Sequence, residues 1–90
     1  MSVDQTLDER GNRYGKFVHH AELSQKLKDA CVVHAMNIKN ELAADQWEAL
    51  EMILHKIARI VNGDPNYTDS WHDIAGYAKL VEDRLNGVER

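Results

Sequence analysis

Four carboxylates in this 90-residue chain have a spacing suited to divalent-cation chemistry. Glu48 and Glu51 stand three residues apart, and Asp69 and Asp73 stand four apart, so each pair shares one face of a helix. Oxygen ligands from neighbouring helices suit Mg²⁺ when it assists the hydrolysis of a triphosphate. The spacing therefore indicates one candidate metal site, with Mg²⁺ as the cofactor that it would hold.

This pattern is similar to that of MazG-like all-α nucleoside triphosphate pyrophosphohydrolases, whose ExxE and later ExxD motifs lie on neighbouring helices. The resemblance implies a magnesium-dependent enzyme or a nucleotide-binding protein. Two features favour a structural role for the carboxylates instead. In an antiparallel hairpin, Glu51 would lie roughly 16 Å from Asp69 along the helix axis, and the second pair is DxxxD where the family has ExxD. Solvated faces and helix caps are therefore preferred, and the four-carboxylate Mg²⁺ site is the alternative.

The other reactive residues form no recognised catalytic pattern. The sequence has no HxxxH, HExxH, GxSxG, P-loop or GxGxxG motif. Cys31 is the only cysteine and lies in an apolar helical segment, which predicts a buried structural thiol. Trp47 and Trp71 fall on apolar helical stripes and are predicted to pack in the core. These features favour a binding protein over an enzyme.

Apolar residues recur at helical spacing in three segments and at strand spacing nowhere. The predicted helices run from about residue 19–22 to 38, from 46 to 62, and from about 70 to 85. The last two are joined by a short connector, which predicts antiparallel neighbours. Residues 1–18 have two glycines and no apolar period, so we predict an irregular N-terminal arm beside a helical domain of residues 19–90. The predicted class is all-α, a three-helix domain with an antiparallel C-terminal helical hairpin.

Capping residues mark the predicted ends of these helices. Asp45 is a predicted N-cap, with Glu48 three residues later completing a capping box. Thr68 or Asp69 is predicted to cap the last helix. Gly63 is predicted to end the preceding one.

The chain carries more apolar surface than one small core requires. The segment ACVVHAM at 30–36 is apolar nearly all round, which predicts a helix that is packed against other parts of the protein on two sides. On the last helix, Asp69, Asp73, Gly76 and Leu80 lie away from the apolar stripe. An interior glycine costs about 1 kcal/mol relative to alanine, so close approach of another backbone would explain Gly76. At this size, pairing with a second copy is a common way to bury such surface, and a homodimer is one hypothesis.

Composition argues against several classes of partner. The formal net charge is −4, with acidic and basic residues mixed along the chain, so binding to nucleic acid is disfavoured. No apolar run approaches the roughly 18 residues of a membrane span, and the polar start does not resemble a signal peptide. A single cysteine suits a reducing compartment, which predicts a cytoplasmic location.

Three motifs resemble those of a family of small phage and prophage proteins of unknown function. The family shares an Arg-Gly…Tyr-Gly start, a Lys-x-x-Arg helix and an Asp-Ser-Trp-x-Asp-x-x-Gly-Tyr ending. The matching positions here are Arg10, Gly11, Tyr14, Gly15, Lys56, Arg59, Asp69, Ser70, Trp71, Asp73, Gly76 and Tyr77. The resemblance implies a phage or prophage origin and action in the bacterial cytoplasm, and it implies no particular reaction.

The sequence thus supports two hypotheses of different classes. The first is a small phage or prophage accessory protein that binds a protein partner, such as host or anti-phage defence machinery, or a second copy of itself. The alternative is a MazG-like magnesium-dependent pyrophosphohydrolase or nucleotide-binding protein. The candidate binding residues are Tyr14, Lys56, Arg59, Asp69, Asp73, Gly76, Tyr77 and Leu80.

Overall fold

The computed structural model describes residues 2–90 as four α-helices. These are α1 (Val3–Tyr14), α2 (Phe17–Asn37), α3 (Ala44–Asn62) and α4 (Thr68–Leu85). No strand occurs among residues 2–90, and none of the helices there is long and apolar enough to cross a membrane. The predicted all-α class and the C-terminal hairpin are confirmed.

The segment predicted to be an irregular arm forms α1 instead. Its N-terminus has a complete capping box: the Ser2 hydroxyl accepts from the Gln5 backbone N–H at 3.1 Å, and Gln5 Oε1 accepts from the Ser2 N–H at 2.9 Å. Gly11 lies inside this helix. The helix has few apolar residues, and its Val3 and Leu7 are exposed, so it lacks the periodic stripe that would have predicted it.

The predicted caps of the later helices differ from those observed. At α3 the cap is Ala43, whose N–H donates to Gln46 Oε1 at 2.9 Å, while Asp45 lies inside the helix. At α4 the cap is Tyr67, with no side-chain hydrogen bond, so neither Thr68 nor Asp69 caps it. Gly63 ends α3 as predicted.

Among residues 2–90, α3 is the only helix that contacts all three others, since α4 contacts neither α1 nor α2. Two ion pairs set the α3–α4 register. Lys56 Nζ lies 2.9 Å from Asp73 Oδ2, and Arg84 donates to both oxygens of Asp45 at 2.6 and 2.7 Å. The helices α2, α3 and α4 therefore lie side by side as a layer, with α1 at one end.

A single layer of helices buries little apolar side-chain surface. The buried apolar residues among residues 2–90 are Ala35, Ala49 and Ala58, and no large side chain there is fully buried. Cys31 is exposed, so the prediction of a buried thiol was wrong. The core prediction was also wrong for Trp71, whose side chain is 55% exposed and donates to the Pro65 carbonyl. Both residues are exposed because no other helix of the described chain covers them.

Size measures agree with this open arrangement. The radius of gyration is 15.1 Å, whereas a compact domain of 90 residues has one of about 12 Å. The accessible surface is 6650 Å², against roughly 5,400 Å² for a typical monomer of this mass. The chain thus exposes about 1,300 Å² more than a self-sufficient domain of its size would.

Two glycines allow the α1–α2 link to lie against the end of α3. Gly15 has φ +77°, and a Cβ there would collide with the Asn62 carbonyl oxygen. A Cβ on Gly63 would collide with the Arg13 carbonyl oxygen and Tyr14 Cα. Asn62 Nδ2 then donates to the carbonyls of Tyr14 at 2.8 Å and Lys16 at 3.1 Å. These contacts form the α1–α3 junction.

Replacing Gly15 by alanine is expected to destabilise the protein by about 2 kcal/mol or more, because the new side chain adds a clash to an unfavourable positive φ. The matched control is Gly11→Ala, because Gly11 is helical and has open space around its Cα. That control should stabilise by about 1 kcal/mol. Urea unfolding at a fixed protein concentration measures both. Equal stability of Gly15→Ala and the wild type would contradict the junction geometry.

Candidate functional site

The predicted binding residues fall into two separate groups. Tyr14 and Arg59 lie together at the α1–α3 junction. The others, along the α3–α4 hairpin, are Lys56, Asp69, Asp73, Gly76, Tyr77 and Leu80.

The junction group forms a chain of contacts in which two tyrosine rings lie between two arginine side chains. The Arg59 guanidinium carbon lies 4.3 Å from the centre of the Tyr14 ring. Tyr14 meets Tyr67 edge-on at 6.2 Å between ring centroids. Arg13 lies over the Tyr67 ring at 5.0 Å. Cation–π contacts of this kind hold the end of α1 against α3 and the α3–α4 turn.

The acidic members of the hairpin group have partners within the chain. The Lys56 ammonium donates a hydrogen bond to Asp73 and lowers the pKa of its carboxyl group. The Tyr67 hydroxyl donates to Asp69 Oδ2 at 3.0 Å, and this bond raises the pKa of Tyr67. Neither carboxylate is therefore a free ligand.

Gly76 lies in a shallow groove on α4 beside Tyr77 and Leu80. A Cβ on Gly76 would meet nothing within 4 Å, so no neighbouring backbone of this chain accounts for the glycine. Tyr77 is half-buried against α3, and Leu80 is 49% exposed. This groove is open in the single chain.

The structure does not bring the four candidate metal carboxylates together. In the register set by the two ion pairs, Asp69 is level with Ile60. Glu51 lies nine residues before Ile60, which is about 14 Å along α3. Among residues 2–90, no group of three or more His, Cys, Asp or Glu side chains could hold a metal ion. The alternative Mg²⁺ site on Glu48, Glu51, Asp69 and Asp73 thus has no supporting geometry in one chain.

Two histidines absent from the predicted set lie close together at the junction. The His20 and His55 rings are 4.6 Å apart and perpendicular. Burial lowers the pKa of His55 to about 4, assisted by the positive charges of Arg59, His20 and Lys28. Burial, Arg59 and Lys28 also lower the pKa of His20. The two residues are far apart in sequence and share no motif, so no local signal indicated the pair.

A cavity of about 480 Å³ opens beside these histidines. We call it the junction pocket. Its lining comes from α1, the start of α2 and one face of α3, and consists of Leu7, Arg10, Gly11, Tyr14, Gly15, Lys16, Phe17, His20, His55 and Arg59.

A second feature is an uncovered apolar face on α3 and α4. Leu50 and Ile53 of α3 border one depression with Ala78 and Val81 of α4, and helical spacing continues this side in both directions. We call it the open apolar face and define it by Leu50, Ile53, Ile57, Val61, Trp71, Ile74, Ala78 and Leu85. Leu50 is 39% exposed, Val61 68% and Leu85 60%, so the face lacks a cover in one chain.

The lowered histidine pKa values predict that the stability of the protein depends on pH. Between pH 6.5 and about 4 the unfolded chain binds more protons than the native one, because His55 is protonated only in the unfolded state. The free energy of unfolding should therefore fall as the pH falls through this window. The carboxylates with lowered pKa, Asp45, Asp73 and Asp83, lose their contribution only at lower pH.

NMR titration of the imidazole signals tests the cause. We expect His55 to titrate near 4, and Arg59→Met to raise its pKa towards 6.5 because a neighbouring positive charge is removed. Lys26→Met is the matched control, since Lys26 is exposed and is not among the charges that act on His55. An ordinary His55 pKa in the wild type would contradict the junction geometry.

Comparison with known proteins places the chain in a family without identifying an activity. No curated protein and no solved structure matches it. A family match extends over residues 4–85, from α1 to the end of α4, and so includes both the junction and the open apolar face. The chain belongs to the family described as a domain of unknown function (DUF6378).

Proposed function

We propose that this protein is a small helical accessory protein that functions by protein–protein binding, and that it binds through the open apolar face. The observation that carries the proposal is the exposure of Leu50 and Val61 on the central helix and of Trp71 and Leu85 on α4, because a folded domain ordinarily buries large apolar side chains. Contiguous exposed apolar surface of this kind is typical of sites that another protein covers.

The proposed occupant is a second copy of the same chain. The chain as a whole exposes about 1,300 Å² more than a typical monomer of its mass, and each partner in a standard interface buries roughly 800 Å². Pairing would therefore bring the exposed surface back towards that of a typical monomer. The eight residues that define the face carry no charge, so the face offers no electrostatic basis for selecting a different partner. A two-fold interface requires a surface compatible with itself, and an uncharged apolar surface meets that condition.

The proposed setting rests on the sequence resemblance to small phage and prophage proteins. In that setting the paired protein would act in the bacterial cytoplasm as a modulator of host or anti-phage defence machinery. The surfaces that pairing leaves free include the α4 groove at Gly76, Tyr77 and Leu80. The two acidic residues near that groove are internally paired, which supports binding over catalysis.

Replacing Leu50 by glutamate is expected to abolish pairing, because a carboxylate would be buried without a partner. The dissociation constant should rise roughly 100-fold or more. Light scattering should give the wild type a mass of twice 10.3 kDa and the variant a mass of 10.3 kDa. Val33→Glu is the matched control, since Val33 is an exposed apolar residue of α2 outside the face, and it should remain paired.

A photo-crosslinking residue at position 50, with position 33 as control, distinguishes the occupants in a bacterial cell. Crosslinks from position 50 to a second copy support the proposal. Crosslinks only to a different protein would overturn the choice of occupant and leave protein binding intact. A monomeric wild type that forms no crosslink from position 50 would overturn both.

A further inference from the structure

The junction pocket has a charge that the chain as a whole does not have. The protein is acidic, with a net charge of −4. Yet the pocket lining includes Arg10, Lys16 and Arg59 together with two histidines, and it includes no acidic residue. Lys28 adds positive potential at both histidine rings. The pocket therefore favours a negatively charged group.

The cations of the pocket have no acidic partner in the part of the chain that the structure describes. None of the ion pairs among residues 2–90 involves Arg10, Lys16 or Arg59. The Arg59 guanidinium is held over Tyr14, which fixes its position without neutralising its charge. Cations that are positioned but unpaired are suited to binding a carboxylate or a phosphate.

The pocket walls are apolar and partly aromatic. Phe17 is 77% exposed and Leu7 57% exposed, although both border the cavity. The Phe17 ring lies 6.3 Å from the His20 ring, tilted by 40°. A flat apolar group bound here would cover the ring of Phe17 and the side chain of Leu7. Removal of this apolar surface from water would favour binding.

One residue that lines the pocket has a buried polar atom without a partner in the described chain. His20 is only 5% exposed, and its Nδ1 has no hydrogen-bond partner in the described chain. The Ala58 carbonyl slightly favours protonation of this ring, but burial and the nearby cations outweigh it. Unsatisfied buried polar groups are uncommon in proteins, and a water or ion that completes their hydrogen bonds is one explanation for them. A bound anion would offset the cations that now disfavour protonation of His20 and His55.

We propose that the junction pocket binds a small molecule in which a carboxylate or phosphate is attached to an aromatic body. The cavity volume of about 480 Å³ falls within the range of about 300–1,000 Å³ for small-molecule sites. The anionic group would lie among Arg10, Lys16 and Arg59, and the aromatic body against Phe17. This site is on the opposite side of α3 from the open apolar face, so it is independent of pairing.

Titration of the full chain with 2-naphthoate, 1-naphthyl phosphate and the neutral 2-naphthol tests the proposal. Calorimetry gives the affinity, and NMR follows the imidazole signals of His20 and His55. We expect at least one anion to bind, to shift both histidine signals and to raise the pKa of His55. The neutral compound should bind on the order of ten-fold more weakly or not at all, because it lacks the charge-assisted hydrogen bonds. If only one of the two anions binds, the result identifies the anionic group that the pocket prefers.

The double variant Arg10→Met with Lys16→Met removes two pocket cations whose side chains form no ion pair within residues 2–90. Anion binding should weaken on the order of ten-fold or more, while Lys26→Met, a matched loss of charge outside the pocket, should leave it unchanged. Circular dichroism checks that the variants keep their helices. Absence of histidine shifts with both anions, equal binding of 2-naphthol, or unchanged binding in the double variant would overturn the proposal.

Discussion

The packing of this protein centres on α3, because α2 and α4 both contact it and, among residues 2–90, do not contact each other. Because α2 and α4 lie on opposite sides of α3, two further sides of α3 remain. No helix of the described chain covers either of these sides completely. One of these sides is apolar and is left open, which explains why alanines are the only buried apolar residues described. The other is polar and partly covered by α1, which produces the junction pocket.

Different interactions stabilise the α1–α3 junction and the α3–α4 hairpin. At the α1–α3 junction, Gly15 and Gly63 allow two backbone segments to approach more closely than a Cβ would permit. The Asn62 side chain then donates a hydrogen bond to the Tyr14 carbonyl. Along the hairpin, charge sets the register through Lys56–Asp73 and Arg84–Asp45. Exposed pairs add little stability individually, so their main role is alignment. The apolar contribution to the stability of this small chain is limited, because the open apolar face stays exposed in one chain.

The proposed protein binding and the proposed anion site use opposite sides of α3. This arrangement makes them physically compatible, because a second copy on the open apolar face would not enter the junction pocket. It also separates the candidate residues. Arg59 and Tyr14 belong to the pocket, whereas Tyr77 and Leu80 border the α4 groove, and Asp69 and Asp73 are engaged by Tyr67 and Lys56.

The sequence by itself determined the all-α class, the hairpin and the end of α3 at Gly63, because helical periodicity and glycine are local signals. It missed α1, whose capping box at Ser2 and Gln5 has no apolar stripe behind it. It also placed Cys31 and Trp71 in a core, since periodicity identifies an apolar face but not whether another helix covers it. Only the tertiary structure decided that α2 and α4 stay apart and that His20 meets His55, because both depend on contacts between residues distant in the chain.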